Sequence, residues 1–366
     1  MASRVSTTIL GYTGRQFLFA VLTMFVLFLA IVFLMDIIEL MRRAAGRDDV
    51  PFTTVLDMAL FKLPHMGQEL LPFAVLFGTM FAFWRLNRSS ELVAVRATGV
   101  SIWQFLLPVL MLALLLGAVK LAFFNPMAAA MVARFEQLEN EYLRRSSSRL
   151  AVSRTGLWLR QADAAGQSVV HAETVSSEGL ELSSVIVFFY EEEDQFVGRA
   201  DATSARLEEG FWELEDVWLT GPRADSRHED NWRVATDLTF EHIEESFASP
   251  ETISFWELPE FIEVLDQTGF SSIRHRMRYQ SLLAEPLLLC AMTLIAAVFA
   301  LRYNQRSGTT VTIIGGIVSG FLLYFISDIV SALGLSASIP VGLAAWTPAG
   351  VSALLGVSVL FHLEDG

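Results

Sequence analysis

The stretch Arg85-Leu-Asn-Arg-Ser-Ser-Glu-Leu-Val-Ala-Val-Arg-Ala-Thr-Gly-Val-Ser101 lies between two long apolar runs. Because each run approaches the roughly 20 residues that cross a bilayer, the stretch between them is a short loop on one face of a membrane. It also has the signals of a small helix at about 90–98. These are Ser89 and Ser90 as N-cap candidates, Glu91 in the first turn and Gly99 at C′.

The predicted helix carries more apolar surface than a solvated connector needs, at Leu92, Val93, Val95 and Ala97. A short amphipathic helix held between two spans could dock a soluble partner of a transporter. An interfacial turn that merely joins two spans has the same signals, so the loop alone leaves both interpretations open.

The composition divides the chain into two environments. With 53% hydrophobic residues and a mean hydropathy of +0.47, it is more apolar than soluble proteins, in which about 45–50% is usual. The net charge of −14 comes from residues 125–279, which hold 29 acidic and 14 basic side chains. This acidic balance argues against nucleic acid as a partner.

Sequence signals of catalysis and cofactor binding are absent. There is no G-x-x-x-x-G-K-[ST] phosphate loop, no H-E-x-x-H, no cysteine pair and no G-x-S-x-G elbow. We therefore expect no cofactor, no metal site and no covalent chemistry. The single cysteine, Cys290, excludes an intrachain disulfide. The apolar run 17–38 is too long for a cleavable signal peptide.

Six runs reach or approach the length of a membrane span: about 16–38, 60–84, 102–124, 280–301, 309–333 and 343–362. Arginines concentrate in the loops 85–101 and 302–308, which alternating spans place on one side. That side is predicted to be cytoplasmic, as are both termini. The predicted organisation is three spans in 1–124, an outer domain in 125–279, and three spans in 280–366.

The outer segment changes from helical to strand periodicity. Residues 125–149 continue the third span as a helix. Six short runs rich in Val, Phe, Trp and Thr then predict an all-β sandwich or jelly roll: 156–161, 168–174, 183–190, 199–207, 211–219 and 231–240. The 211–219 run does not alternate cleanly, which predicts two partly covered faces. A helix at about 258–267 leads back to the membrane.

A basic cluster follows the first span: Arg42, Arg43 and Arg47. It is an exception to the positive-inside rule, because alternating spans place it on the outer side of the membrane. One interpretation is local pairing with acidic neighbours, and the other is an anionic ligand at the outer end of the span. The acidic neighbours are Glu39, Asp48 and Asp49.

Few ionisable side chains lie within the spans themselves, namely Asp36, Lys120, Glu285 and Asp328. A proton-driven carrier would need carboxylates near the middle of the membrane. Asp328 lies toward the outer end of its span, and we interpret it as a hydrogen-bonded structural carboxylate.

Over essentially its whole length the chain resembles the LptF/LptG permeases, the membrane subunits of the lipopolysaccharide export machine of Gram-negative bacteria. One of the matching strings, Thr155-Gly-Leu-Trp158, is similar to the start of the periplasmic domain of G-type subunits and favours that paralogue over the F-type. The other strings are Arg88-Ser-Ser-Glu-Leu-Val-Ala-Val-Arg-Ala-Thr-Gly99, Arg278-Tyr-Gln280 through Pro286, and Gly320-Phe-Leu-Leu-Tyr-Phe-Ile-Ser-Asp328 followed by Ile339-Pro340.

The resemblance implies a permease subunit of an ABC-type exporter in the bacterial inner membrane. It implies a periplasmic β-jellyroll between the third and fourth spans and four kinds of protein partner. These are a paralogous LptF-type permease, a cytoplasmic LptB-type ATPase dimer that hydrolyses ATP, a single-span LptC-type periplasmic partner and an LptA-type bridge.

The resemblance also implies roles for particular residues. Lipopolysaccharide contacts are expected at Arg42, Arg43, Phe321 and Tyr324. ATPase coupling is expected at Ser90, Glu91, Leu92, Val95 and Arg96. Asp36 departs from the lysine of some relatives, which weakens the case for a phosphate contact at that depth.

Three alternatives remain open. The chain could be the F-type paralogue, which differs in pairing but not in mechanism. It could be a membrane-anchored periplasmic scaffold that moves nothing. A proton-driven carrier would instead depend on Asp328 and not on ATP.

Overall fold

The computed structural model describes residues 7–45, 50–97, 101–144, 149–153, 156–163, 166–176, 181–191, 195–208, 210–221, 226–236, 249–268, 271–301 and 309–365. The chain divides into two compact units. The first comprises Met1–Glu139 and Arg276–Gly366, and the second comprises Asn140–His275.

Helices dominate the first unit, and six of them are long and apolar enough to cross a membrane. The third of these continues without a break from Ile102 to Leu143 through two π-helical turns, Lys120–Phe124 and Glu139–Arg144. The six predicted spans are therefore confirmed. The helices of the described residues are α1 (Thr7–Ala44), α2 (Phe52–Arg88), α3 (Glu91–Ala97), α4 (Ile102–Val119), α5 (Asn125–Leu138), α6 (Leu258–Thr268), α7 (Ile273–Leu301), α8 (Thr309–Leu335) and α9 (Val341–Asp365).

Small residues let these helices approach closely, as is common in membranes. A Cβ added to Gly78 of α2 would lie 2.6 Å from the Val21 Cα of α1. A Cβ added to Gly117 of α4 would lie 2.5 Å from the Pro286 Cα of α7. The helices nevertheless differ greatly in how much of their surface the chain itself covers. In their most apolar windows α2 and α7 are each 56% buried, whereas α1 and α8 are each only 17% buried.

The second unit contains one antiparallel sheet in which seven strands pair in chain order. The predicted β domain between the third and fourth spans is confirmed. Its described strands form a single meander, whereas the strand spacing predicted a sandwich or jelly roll. They are β1 (Arg149–Ser153), β2 (Gly156–Asp163), β3 (Gly166–Ser176), β4 (Glu181–Glu191), β5 (Gln195–Glu208), β6 (Phe211–Thr220) and β7 (Arg227–Ala235).

The sheet has one apolar face. Partway along β4, β5 and β6 the alternation of buried and exposed residues shifts by one position, and these shifts lie side by side in the neighbouring strands. In β6, Trp212 and Leu214 are buried before the shift and Val217 is buried after it. The cause is the backbone, since Asp216 of β6 and Ser184 of β4 have φ of 54° and 53° and both lie opposite Thr203.

The uneven alternation predicted from 211–219 therefore has a conformational origin. The left-handed Asp216 returns Val217 to the face of Trp212 and Leu214, while Phe211 and Glu213 on the opposite face are half-buried, as the prediction of two partly covered faces requires. The predicted helix at 258–267 is confirmed as α6. Its entry is held by Ser254, whose N–H and hydroxyl both donate to Glu257 Oε2, at 3.3 and 2.7 Å. Residues 237–240 of the last predicted strand lie outside the described residues.

Candidate functional site

Two exposed arginines form a basic rim at the end of α1. Arg42 Nε and Nη2 donate to the two carboxylate oxygens of Glu39, at 2.9 and 2.8 Å. Arg43 Nε donates to Glu39 Oε1 at 2.9 Å, and its Nη1 donates to Glu139 Oε1 at 3.2 Å. The predicted local pairing with Glu39 is thus present. Arg47, Asp48 and Asp49 lie outside the described residues.

The pairing does not occupy these arginines fully. The side chains of Arg42 and Arg43 keep 73% and 49% of their surface exposed. Ion pairs at such exposure are weak because water screens them. A phosphate that accepts two guanidinium hydrogen bonds is geometrically well suited to compete with Glu39.

Nearer the middle of the membrane unit, basic charge is neutralised within the protein. Lys62 Nζ of α2 donates to Asp36 Oδ1 of α1 at 2.6 Å, and the Asp36 side chain is only 5% exposed. The chain therefore has an ion pair between α1 and α2 at this depth.

Phe321 and Tyr324 of α8 lie on the exposed surface of the unit, 57% and 51% exposed. Both pack against Phe73 of α2, with ring centroids 5.6 and 5.2 Å apart. Sequence analysis did not identify Phe73, because nothing in the sequence shows which helix lies beside α8. Among the described residues, no ring or ion contact joins this aromatic group to the basic rim.

The helix predicted at about 90–98 is present as α3, which begins at Glu91, and Thr98 lies outside the described residues. Ser89 is not its N-cap, because its hydroxyl donates to the Arg85 and Leu86 carbonyls and so caps the end of α2. Ser90 is left-handed, with φ of 59°, and its carbonyl accepts the Ala94 N–H at 3.0 Å. An N-cap residue is normally extended, so Ser90 acts as a turn residue instead. Gly99 lies outside the described residues.

The side chains of α3 have different surroundings. Leu92 is 7% exposed and belongs to the same buried cluster as Leu86 and Phe105. Ala94 is exposed and Glu91 is half-buried. Leu92 thus packs α3 against the membrane unit, while Glu91 and Ala94 lie on the side of the helix that is less buried. The side chains of Val95 and Arg96 lie outside the described part of the chain.

A second ion pair lies deeper in the unit. Lys120, 5% exposed, pairs with Glu285 and donates to the Gln68 carbonyl at 2.7 Å. Asn125 Nδ2 donates to Gln68 Oε1 at 3.3 Å. This network links α2, α4, α5 and α7. By contrast Asp328 is exposed, and among the described residues it accepts no hydrogen bond, so the structural role expected for it is not observed.

Six apolar helices interrupted by an antiparallel sheet, with a basic rim where the first span ends, define a multi-pass membrane protein with one inserted β unit. The chain belongs to the family of the lipopolysaccharide export system permease LptF/LptG, whose model matches residues 11–362. This family places it in the inner membrane as a permease.

Two relatives support the same assignment. The chain is 24% identical to the lipopolysaccharide export system permease protein LptG of Escherichia coli strain K12, over 83% of this chain and 84% of that protein. It is 22% identical to the protein of the same name from Haemophilus influenzae strain Rd, over 90% of this chain and 91% of that protein. The predicted family is thus confirmed.

Proposed function

We propose that the chain is the G-type permease subunit of an ABC-type exporter that extracts lipopolysaccharide from the inner membrane. A separate cytoplasmic ATPase dimer supplies the energy, and the lipid passes to a periplasmic jellyroll bridge. Both termini are cytoplasmic and the β unit is periplasmic. The names of the two relatives support the G-type assignment over the F-type.

The structural observation that carries the proposal is the exposure of α1 and α8. Each is only 17% buried, although the remaining spans are 33–56% buried. Exposed large apolar side chains line both helices, from Phe19 to Met41 on α1 and from Ile314 to Leu335 on α8. An LptF-type permease of the same fold, contributing its own two exposed helices, would enclose a lipid-sized space between the subunits.

The rim and the sheet would each contact the lipid. Arg42 and Arg43 would meet the anionic head of the lipid, and the apolar spans with Phe321 and Tyr324 would face its acyl chains. The apolar face of the sheet would receive those chains in the periplasm, continued by an LptC-type partner and an LptA-type bridge.

The first test is photocrosslinking of lipopolysaccharide from positions 42 and 43 in the reconstituted complex, with and without ATP. Position 89, exposed at the other end of α2, is the matched control. We expect adducts at 42 and 43 that diminish during ATP turnover, and none at 89. Transport without adducts at 42 and 43 would mean that the two arginines pair with Glu39 and do not contact lipopolysaccharide.

The second test concerns the ATPase. Leu92 is buried, so its substitution would disturb packing and is a poor probe of docking. Glu91→Lys and Ala94→Arg change the outer side of α3, while Glu141→Lys makes the same charge change at an exposed position past α5. We expect the first two variants to reduce co-purification of the ATPase at least tenfold, and Glu141→Lys to leave it unchanged.

The same assay separates the alternatives. A scaffold would assemble normally yet show no ATP-dependent release of lipopolysaccharide to the bridge. A proton-driven carrier would keep transporting without the ATPase and stop with Asp328→Asn.

A further inference from the structure

A cavity of about 130 Å³ with a partly polar lining lies between α7, α8 and α9 within the membrane unit. It is far larger than the roughly 10–15 Å³ that one water needs, yet smaller than the few hundred Å³ of a pocket for a whole drug-sized ligand. Its polar lining consists of Arg278, Ser281, Glu285, Ser327 and Ser331.

The cavity contains a cation without a counter-ion. Arg278 Nε is buried and has no hydrogen-bond partner, and among the described residues the guanidinium makes no ion pair. Glu285, the acidic group of the lining, is already paired with Lys120. The nearby Glu69 is paired with His65, 3.4 Å away. An unpaired charge within a membrane span is costly, so the cavity favours an anion.

The three serines provide further donors. Ser281, Ser327 and Ser331 line the same cavity as Arg278. A guanidinium with neighbouring hydroxyls suits the tetrahedral oxygens of a phosphate.

The cavity also lies at the depth of lipid head groups. Arg278 is five residues after the start of α7, and Ser331 is four residues before the end of α8, so both lie about 6–8 Å from their helix ends at 1.5 Å per residue. Beside them Trp346 of α9, 41% exposed, donates its indole N–H to Gln280 Oε1 at 3.0 Å. Tryptophan concentrates at membrane interfaces.

We propose that this cavity binds the phosphate of a glycerophospholipid of the surrounding membrane. Arg278 and the serine hydroxyls hold the phosphate, and the acyl chains lie on exposed apolar side chains nearer the middle of α8 and α9, such as Ile326 and Leu355. The site lies on different helices from the basic rim of α1, and it does not depend on the proposed transport function.

The test is native mass spectrometry of the purified, delipidated full chain in detergent, titrated with dioleoylphosphatidylglycerol. We expect one tightly held lipid in the wild type. Arg278→Gln should weaken its binding at least tenfold, and so should Ser331→Leu, which fills the cavity without removing the cation. Arg276→Gln, exposed on the same helix, is the matched control and should bind as the wild type does.

The chemistry of the ligand is tested by three competitors. Dioleoylglycerol, with the same chains and no phosphate, should bind at least tenfold more weakly. If inorganic phosphate binds as tightly as the lipid, the site takes a free anion and the lipid assignment is wrong. If lipopolysaccharide displaces the phospholipid through the same Arg278 dependence, the cavity belongs to the substrate and the proposal is overturned. If Arg278→Gln does not fold, the Ser331→Leu variant is decisive, and lipid binding by that variant at the wild-type level overturns the proposal.

Discussion

Arg43 joins the end of α1 to the end of α5, because its Nη1 donates to Glu139 Oε1 at 3.2 Å across 96 residues of sequence. Its neighbour Arg42 contacts Glu39 of its own helix. The two adjacent arginines of the rim therefore differ in their contacts. Arg43 connects two helices, whereas Arg42 contacts Glu39 of its own helix.

The first prediction compares these arginines. Arg43→Ala should lower the thermal stability of the purified protein, by about 0.2–1 kcal/mol because the pair with Glu139 is partly solvated. Arg42→Ala should leave stability unchanged, while both variants reduce photocrosslinking to lipopolysaccharide. Thermal unfolding in detergent measures the difference. Equal melting temperatures for the two variants would show that the contact with Glu139 contributes nothing.

The second prediction concerns the buried pair of Lys120 and Glu285. Glu285→Gln leaves the Lys120 ammonium buried without its counter-ion, and breaking such a pair typically costs about 3–5 kcal/mol. The double variant Lys120→Met, Glu285→Leu removes both charges and should recover most of that loss. Unfolding temperature and yield of folded protein measure both. A double variant as unstable as the single one would mean that the hydrogen bonds to Gln68, not the charges, stabilise this region.

The third prediction concerns the contact of α1 with α2. Gly78→Ala places a methyl group 2.6 Å from the Val21 Cα, which is backbone and cannot move aside. Overpacking of this kind typically costs about 1–3 kcal/mol. Gly11→Ala, in α1 with nothing within 4 Å of the new Cβ, is the control and should be neutral or slightly stabilising. Similar stability of the two variants would contradict the close approach.

The fourth prediction is the pH dependence of the sheet. The His228 ring, 2.8 Å from Asp216 Oδ1, and the Thr203 hydroxyl hold the pKa of Asp216 below its ordinary value of 3.8. Because the folded-state pKa is lowered, the stabilisation is fully present above pH 3.8 and is lost as the pH falls through the lowered value.

Asp216→Asn tests this directly, since asparagine tolerates the left-handed backbone but carries no charge. Hydrogen exchange of the β6 amides in the full chain, compared with the wild type at each pH, is the measurement. We expect faster exchange in the variant at pH 5–7 and no difference near pH 2. Faster exchange that persists unchanged to pH 2 would point to lost packing instead of lost charge.

Much of the architecture was predictable from the sequence for local reasons. Membrane spans are recognisable because each depends on about 20 consecutive apolar residues, whatever their neighbours in space. The helix α6 was predictable from its own start and stop signals. The strands β2 to β6 were recognisable from short apolar runs between turns, although β1, only five residues long, was missed.

Other features were not predictable, because they depend on which elements lie side by side. The apolar residues of α3 indicated an amphipathic helix, but only the packed structure shows that Leu92 points into the cluster with Phe105. The uneven alternation of β6 was visible in the sequence, whereas its cause, the left-handed Asp216 opposite Thr203, is a property of the paired strands.

The sequence by itself determined that this protein has six spans, an acidic β unit between the third and fourth, and a basic cluster at the end of the first. These features follow from hydropathy and charge, which are properties of consecutive residues and do not depend on neighbours in space. Only the tertiary structure decided that Arg43 pairs with Glu139, that Asp36 neutralises Lys62, and that Arg278 lies in a cavity where no described residue forms an ion pair with it. The partner of a charge depends on which helices pack together, and that packing arises from contacts between residues far apart in the sequence.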